Sequence, residues 1–568
     1  MALLFTLLNS FKPLQIDDAA YYYYAAQIAE HPLDPYDFKV FWYQWPEPAN
    51  HVLAPPVLPY WWAGAICLFG DRPFLWKMWL LPFSLIFVCA LARLFRSFTP
   101  GFEKPLVWMT VFSPTFLPSL NLMLDVPALA LGLFSITVFL DACNRLDLLR
   151  AMVAGFLAGL AMQTKYTGFL APATMILYGF LFAWLAPSMN RRSKAALACF
   201  SLVAVLVALN VFAGWELFIA FRHGESHFYH EFQQNQRDIL VQVQNWSLPL
   251  LSLFGGAAPG IVLLGWLALS RCWLPFLSAA MLVIAGYCVV AFANPFRWTV
   301  DFTRLSLPNT WTVRVTGWEQ LIFPSFGIVG VVVFLGIAWR LLRIGQRGFW
   351  QPQSWSRHRV DWFLLLWLAL EIGGYFAMTP FGAVRRIMGI VVVSTLVAGR
   401  LASFTCRWGT RRNLVWSIAV ANSLLGLVFL GVDFLDARAS QRMAESASAY
   451  IRQQDSRAHI WYVGHWGFQF YAEHSGMQPV VPDSLAAPLH PGDWLVVPNP
   501  RINQQLIGID SEKLERVTEQ AVNDVVPLRT VQCFYGTATG EPLEHLEGSR
   551  CWVTIYRVTQ ELIPATPR

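Results

Sequence analysis

Twelve apolar segments leave this chain little choice of fold: they lie near residues 76–95, 105–120, 126–143, 151–164, 167–186, 195–221, 249–270, 273–292, 321–342, 361–378, 386–402 and 413–432. Most approach the roughly 20 apolar residues that cross a bilayer as a helix. A segment in lipid must satisfy its own backbone hydrogen bonds, which favours helices. Met1–Leu8 is also apolar but too short to span, and Asn9, Ser10 and Lys12 interrupt it. It lacks a basic leader and a small-residue cleavage site, so it reads as the end of a first spanning helix whose start is missing, not as a signal peptide. The expectation is a polytopic α-helical membrane protein of about thirteen spans. Only 13% of the residues are charged, against about 25% in soluble domains.

Charge bias in the loops gives an orientation. One set of short links carries 18 Lys and Arg, among them Arg93, Arg145, Arg191, Arg271, Arg347 and Arg407. The opposite set carries 11, among them Lys12, Lys165, Arg222, Arg304 and Arg385, spread over longer loops. The first set is read as cytoplasmic. Residues 1–436 then form the membrane domain, with a first outward loop at 11–75. Pro-punctuated and rich in aromatics such as Trp42, Tyr43 and Trp61, that loop suggests short helices along the membrane surface.

Residues 437–568 turn polar and read as a small extracytoplasmic α/β domain. Helices are expected at Ala437–Gln453 and Glu512–Gln520, and strands at His459–Trp466, Trp494–Pro498, Val525–Phe534 and Cys551–Val558. Cys533 and Cys551 pair as a disulfide or stay as buried thiols. Seven other cysteines, including Cys272 and Cys406, lie in or beside apolar segments and read as small hydrophobes. No basic block points to nucleic acid.

The chemistry is carried by scattered polar residues that this topology puts on the outward face. Asp17 and Asp18 end the first apolar segment and precede four tyrosines, Tyr21 to Tyr24. Acids at a membrane boundary are expensive to keep and usually have a task, though an Asp pair there could simply cap a helix from Ala19. Asp125 sits in the brief turn Asn121–Pro127, where the plain alternative is an Asp-Val-Pro helix start. Lys165, followed by Tyr166, breaks the charge bias and suits an anionic partner, or snorkels. Arg385 and Arg386 match phosphate oxygens or anchor headgroups. Tyr21 and His51 in the first loop join Lys165, Tyr166 and the two arginines as substrate-binding candidates.

His223, His227 and His230 follow the 195–221 segment. His223 and His227, four apart, could with Glu231 bind a metal if helical, but Gly224 weakens a helix there. A substrate contact or plain loop is the simpler reading. No cofactor is expected; a divalent metal is possible but not indicated.

In this order, Asp17-Asp18, Asp125, Thr164-Lys165-Tyr166 and the late Arg pair resemble the GT-C glycosyltransferases. The nearest branch is that of protein O-mannosyltransferases and lipid A aminoarabinose transferases, glycosyltransferase family 39. The resemblance covers about residues 1–400 and rests mainly on the part to Gly168. It implies inverting transfer of a sugar from a polyprenyl-phosphate donor to an unknown lipid, glycan or protein acceptor at the extracytoplasmic face. Asp17 would be the base or acceptor-positioning group, Asp18 its neighbour, and Asp125 the second acidic site. Lys165 and an arginine of the pair would touch the donor phosphate. The segment FGAVRRIMGI lacks the family's Arg-Tyr…Pro pattern. The insert of the eukaryotic mannosyltransferases is absent, which implies a bacterial inner-membrane enzyme. Gly464–Phe470, GHWGFQF, resembles a stretch of uncharacterised bacterial members. The rival reading is a non-enzymatic transporter or lipid-handling protein. Its polar residues would sit at the midplane, often in inverted repeats, and no such repeat is visible.

Overall fold

A computed structural model describes residues 1–564 except 42–44, 53–54, 185–190, 235–237, 270–273, 294–296, 302–309, 315–318, 347–351, 380–381, 406–409, 483–486, 499–509 and 523–550. Val525–Phe534 with Cys533 therefore lies outside the described residues, as do Trp42, Tyr43, Arg271, Cys272, Arg304, Arg347, Cys406 and Arg407.

Helices dominate. Seven described ones are long and apolar enough to cross a membrane: Pro73–Phe98, Asp125–Arg145, Arg191–His223, Ile322–Leu342, Arg359–Met378, Val384–Thr405 and Arg412–Gln454. Ile239–Ala257 and Pro259–Leu269 form an eighth candidate, bent by 84° at their junction, where Pro259 cannot continue the hydrogen-bond ladder. Val57–Phe69, Leu148–Met162 and Tyr166–Leu181 are shorter apolar helices.

Among the described residues this count is below the thirteen read from the sequence, and the 105–120 segment shows one reason. Its helix, Glu103–Val111, stops short of Pro114 and is followed by a 3-10 turn at Leu117–Ser119. Irregular backbone then runs to Leu124, buried throughout. Non-helical chain at membrane depth is tolerated where protein covers it. Thr115 Oγ1 donates to the Ala257 carbonyl at 2.9 Å, and Asn9 Nδ2 to the Leu117 carbonyl at 2.7 Å. This irregular run delivers Asp125 to the start of its helix.

The last span does not end with its apolar stretch. Thr410–Gln454 is one 45-residue helix, so the expected helix at Ala437–Gln453 is its continuation. Beyond it lies a five-stranded sheet in the order Gln478–Pro479, Ile460–Tyr462, Trp494–Pro498, Cys551–Val558, Leu514–Val522. The first three strands run parallel, and the last two join antiparallel.

Two expectations are corrected here. The helix expected at Glu512–Gln520 is a 3-10 turn followed by the strand Leu514–Val522. Pairing with Cys551–Val558, through a bulge between Arg516 and Thr518, overrides the local charge pattern. The strand expected to reach Trp466 ends at Tyr462, and Trp466 opens the helix Trp466–His474.

Candidate functional site

Asp17 is presented by a strained turn. Ile16, a β-branched residue, takes φ +51°, a left-handed conformation that is costly for its side chain and holds only where the surroundings enforce it. Asp17 then occupies the N-cap position of the helix Asp18–Glu30, yet its carboxylate makes no capping bond. It accepts instead from Arg385 Nη1 at 2.8 Å. Arg385 comes from the 3-10 turn Val384–Ile387, just ahead of the helix Met388–Thr405. Both side chains are buried.

A second ion pair lies beside the first. Lys165 binds Asp125, the first residue of the helix Asp125–Arg145. The Lys165–Gly168 turn folds tightly against the preceding helix: a Cβ on Gly168 would stand 2.4 Å from the Ala161 carbonyl carbon. Burial pushes the Lys165 ammonium down to about 7; Asp125 opposes this, while Arg386 and Arg385 add to it.

Tyr21 links the two pairs. Burial first, then the charges of Asp17 and Asp125, push its phenol well above the ordinary 10.0, with Arg385 and Arg386 opposing. One hydroxyl thus lies in the field of both acids and both arginines. The Tyr21 ring rests against Trp62, centroids 5.6 Å apart. Asp125, Arg385 and Arg386 line a cavity of about 70 Å³ together with Gly168, Glu371 and Tyr375.

The remaining candidates fall elsewhere. Asp18 turns away from Asp17: its Oδ2 accepts from the Gln15 amide at 3.1 Å and faces Lys77 Nζ at 3.7 Å. Burial, only partly offset by Lys77, raises the Asp18 carboxyl to about 6. Tyr166 Oη meets His227 Nδ1 at 2.7 Å. His51 lies against Glu225 and His230. The metal set considered from the sequence does not form: Gly224 takes φ +90°, and His223 and His227 belong to different helices.

Sequence reasoning missed Glu371. It is a buried carboxylate inside an apolar span, accepting from Trp367 Nε1 at 3.1 Å and lining the cavity. An acid in the middle of the apolar 361–378 segment was the available signal. Also missed was the buried Lys12–Asp433 pair, which joins the first segment to the last span. Gln15 Nε2 donates to the same Asp433 oxygen at 2.9 Å.

The helix Trp466–His474 packs directly on the Asp17 turn. Tyr471 Oη accepts from the Leu14 amide at 2.8 Å, and Tyr22 meets Phe470 edge-on at 5.1 Å. A Cβ on Gly467 would stand 2.8 Å from both Gln15 Cα and the Leu14 carbonyl oxygen. The GHWGFQF stretch therefore braces the segment that carries Asp17.

A carboxylate at a helix start can accept a proton, and grouped cations can hold an anion. Both capacities converge at one end of this helix bundle. Two solved structures are similar to the chain. The archaeal oligosaccharyltransferase AglB from Archaeoglobus fulgidus, in complex with an inhibitory peptide and a dolichol-phosphate, is 13% identical, with 87% of this chain and 68% of that chain covered and a TM-score of 0.49. ArnT from Cupriavidus metallidurans bound to undecaprenyl phosphate is 14% identical, with 89% and 94% covered and a TM-score of 0.38. No family profile and no curated protein matches the sequence.

Proposed function

We propose that this protein is a membrane glycosyltransferase that moves a sugar from a polyprenyl-phosphate donor to an acceptor at the extracytoplasmic face of a bacterial inner membrane. The observation that supports it best is the pairing of Asp17 with Arg385 beside that of Asp125 with Lys165, around one buried tyrosine.

In this reading Asp17 takes the proton from the acceptor hydroxyl or amine. The freed electron pair attacks the anomeric carbon from the side opposite the phosphate. The carbon–oxygen bond to phosphate breaks, and its electrons leave on the polyprenyl phosphate. A single displacement inverts the anomeric centre. Lys165, Arg385 and Arg386 are the cations available to the leaving phosphate. Lys165 would exchange part of its contact with Asp125 for a phosphate oxygen. Asp18, held by Lys77, is assigned a supporting place.

The test is to incubate membranes containing the protein with a panel of labelled polyprenyl-phosphate sugars and follow which label leaves the lipid. Release of at least one label, lost in Asp17→Asn at equal membrane content, is the expected result. No release from any donor, or normal turnover by the variant, would overturn the proposal.

A further inference from the structure

The first loop and the segment after Arg191–His223 meet in a cluster that the proposed transfer reaction does not use. His51 belongs to the short helix Ala49–Val52. Glu225 precedes, and His230 lies within, the helix His227–Gln234. His51 Nε2 stands 3.3 Å from Glu225 Oε1, and His230 Nδ1 stands 2.8 Å from that same oxygen. One ligand atom from each residue can be chosen so that all three lie within 4.8 Å of one another. The imidazoles stack with centroids 4.4 Å apart and an interplanar angle of 15°.

We propose that His51, Glu225 and His230 form a zinc site that clasps the first loop to the helix His227–Gln234. Zinc takes imidazole nitrogen and carboxylate oxygen at about 2.0–2.2 Å in a tetrahedron. Ligand atoms around it therefore stand roughly 3.3 Å apart. The His51–Glu225 separation already has that value, and the His230–Glu225 contact needs to open by about half an ångström. Two imidazoles and one carboxylate supply three ligands. All three side chains keep partial exposure, 35%, 20% and 37% for His51, His230 and Glu225, which leaves water for a fourth position. Two stacked imidazolium rings would repel each other, whereas two neutral rings and a carboxylate match a divalent cation.

The clasp has a structural consequence. The same loop is already joined to the end of the helix Arg191–His223 by Arg222 and Asp34, Nε to Oδ1 at 3.0 Å. His227, on the helix that holds His230, contacts the Tyr166 hydroxyl, and Tyr166 follows Lys165 in the chain. Zinc would thus fix the helix on which Tyr166 rests without entering the Asp17–Arg385 group.

The full chain, purified in detergent without a polyhistidine tag, would be stripped with EDTA and titrated with zinc chloride. Retained metal would be measured by mass spectrometry, and thermal unfolding followed in parallel. The expected result is one zinc per chain and a rise in Tm on zinc addition. His51→Gln, His230→Gln and Glu225→Gln should each weaken zinc binding at least tenfold, since losing even an outer partner of a ligand costs about 10–100-fold. Glu225→Gln keeps the volume and a hydrogen-bonding oxygen, so it separates metal loss from misfolding; elution as a monodisperse peak confirms the fold. His459→Gln, on an exposed histidine of the sheet region, should leave the stoichiometry unchanged. No retained zinc in the wild type, or equal retention in the His51→Gln/His230→Gln double variant, would overturn the site and leave a hydrogen-bonded cluster only.

Discussion

Arg385 donates from Nη1 to Asp17 Oδ2 at 2.8 Å across 368 positions of sequence. The bond takes the carboxylate away from the capping role that its helix-start position offers. It also ties the first loop to the start of a late span.

If Asp17 is the base, its amide should fail as a proton acceptor while keeping the shape. Asp17→Asn is expected to lower transfer by about 10²–10⁴-fold, the usual contribution of general base catalysis. Arg385→Lys keeps the charge but loses the planar fork, so a smaller loss is expected. Because the two residues touch, the double variant should fall short of the product of the single losses. Label release from the lipid donor, normalised to membrane content, checks all three.

Gly467→Ala tests the brace on that turn. The added Cβ would meet backbone atoms of Leu14 and Gln15 at 2.8 Å, so one of the two segments must shift. Transfer is expected to fall at least tenfold while the protein still inserts, because misplacement of about 1 Å in a site costs on the order of 10² in rate. Initial rates in membranes with equal protein content check it.

Asp433→Asn should destabilise without touching the chemistry. The Lys12 and Asp433 side chains are 0% and 5% exposed. Removing one partner of such a buried pair leaves the other uncompensated, a cost of about 3–5 kcal/mol. A lower Tm in detergent with near-normal turnover per folded molecule is expected.

Asp18 gives a pH dependence. Its carboxyl loses its proton near 3.8 in the ordinary state and near about 6 when folded, because burial disfavours the charge. Between those values the folded state binds more protons than the unfolded one, so this group lowers stability as pH rises. The wild type should lose Tm relative to Asp18→Asn from about pH 4 to about pH 6. A parallel pair of Tm–pH curves would show that Asp18 does not titrate there.

The apolar segments alone determined a helical multi-pass protein, since in lipid only a helix or closed barrel satisfies the backbone. Hydropathy could not foresee that the 105–120 segment breaks into buried irregular chain, because that depends on Asn9 and other partners distant in sequence. Nor could it separate strand from helix at 514–522, where the partner strand decides. Asp17, Asp125, Lys165 and Arg385 stood out in the sequence as charges bordering apolar stretches. Which charge faces which was decided by the tertiary structure: Asp17 turns to Arg385 and its neighbour Asp18 to Lys77. A helix start splays adjacent side chains to different sides. Ion pairs spanning hundreds of residues follow from how the helices pack, and no local pattern encodes them.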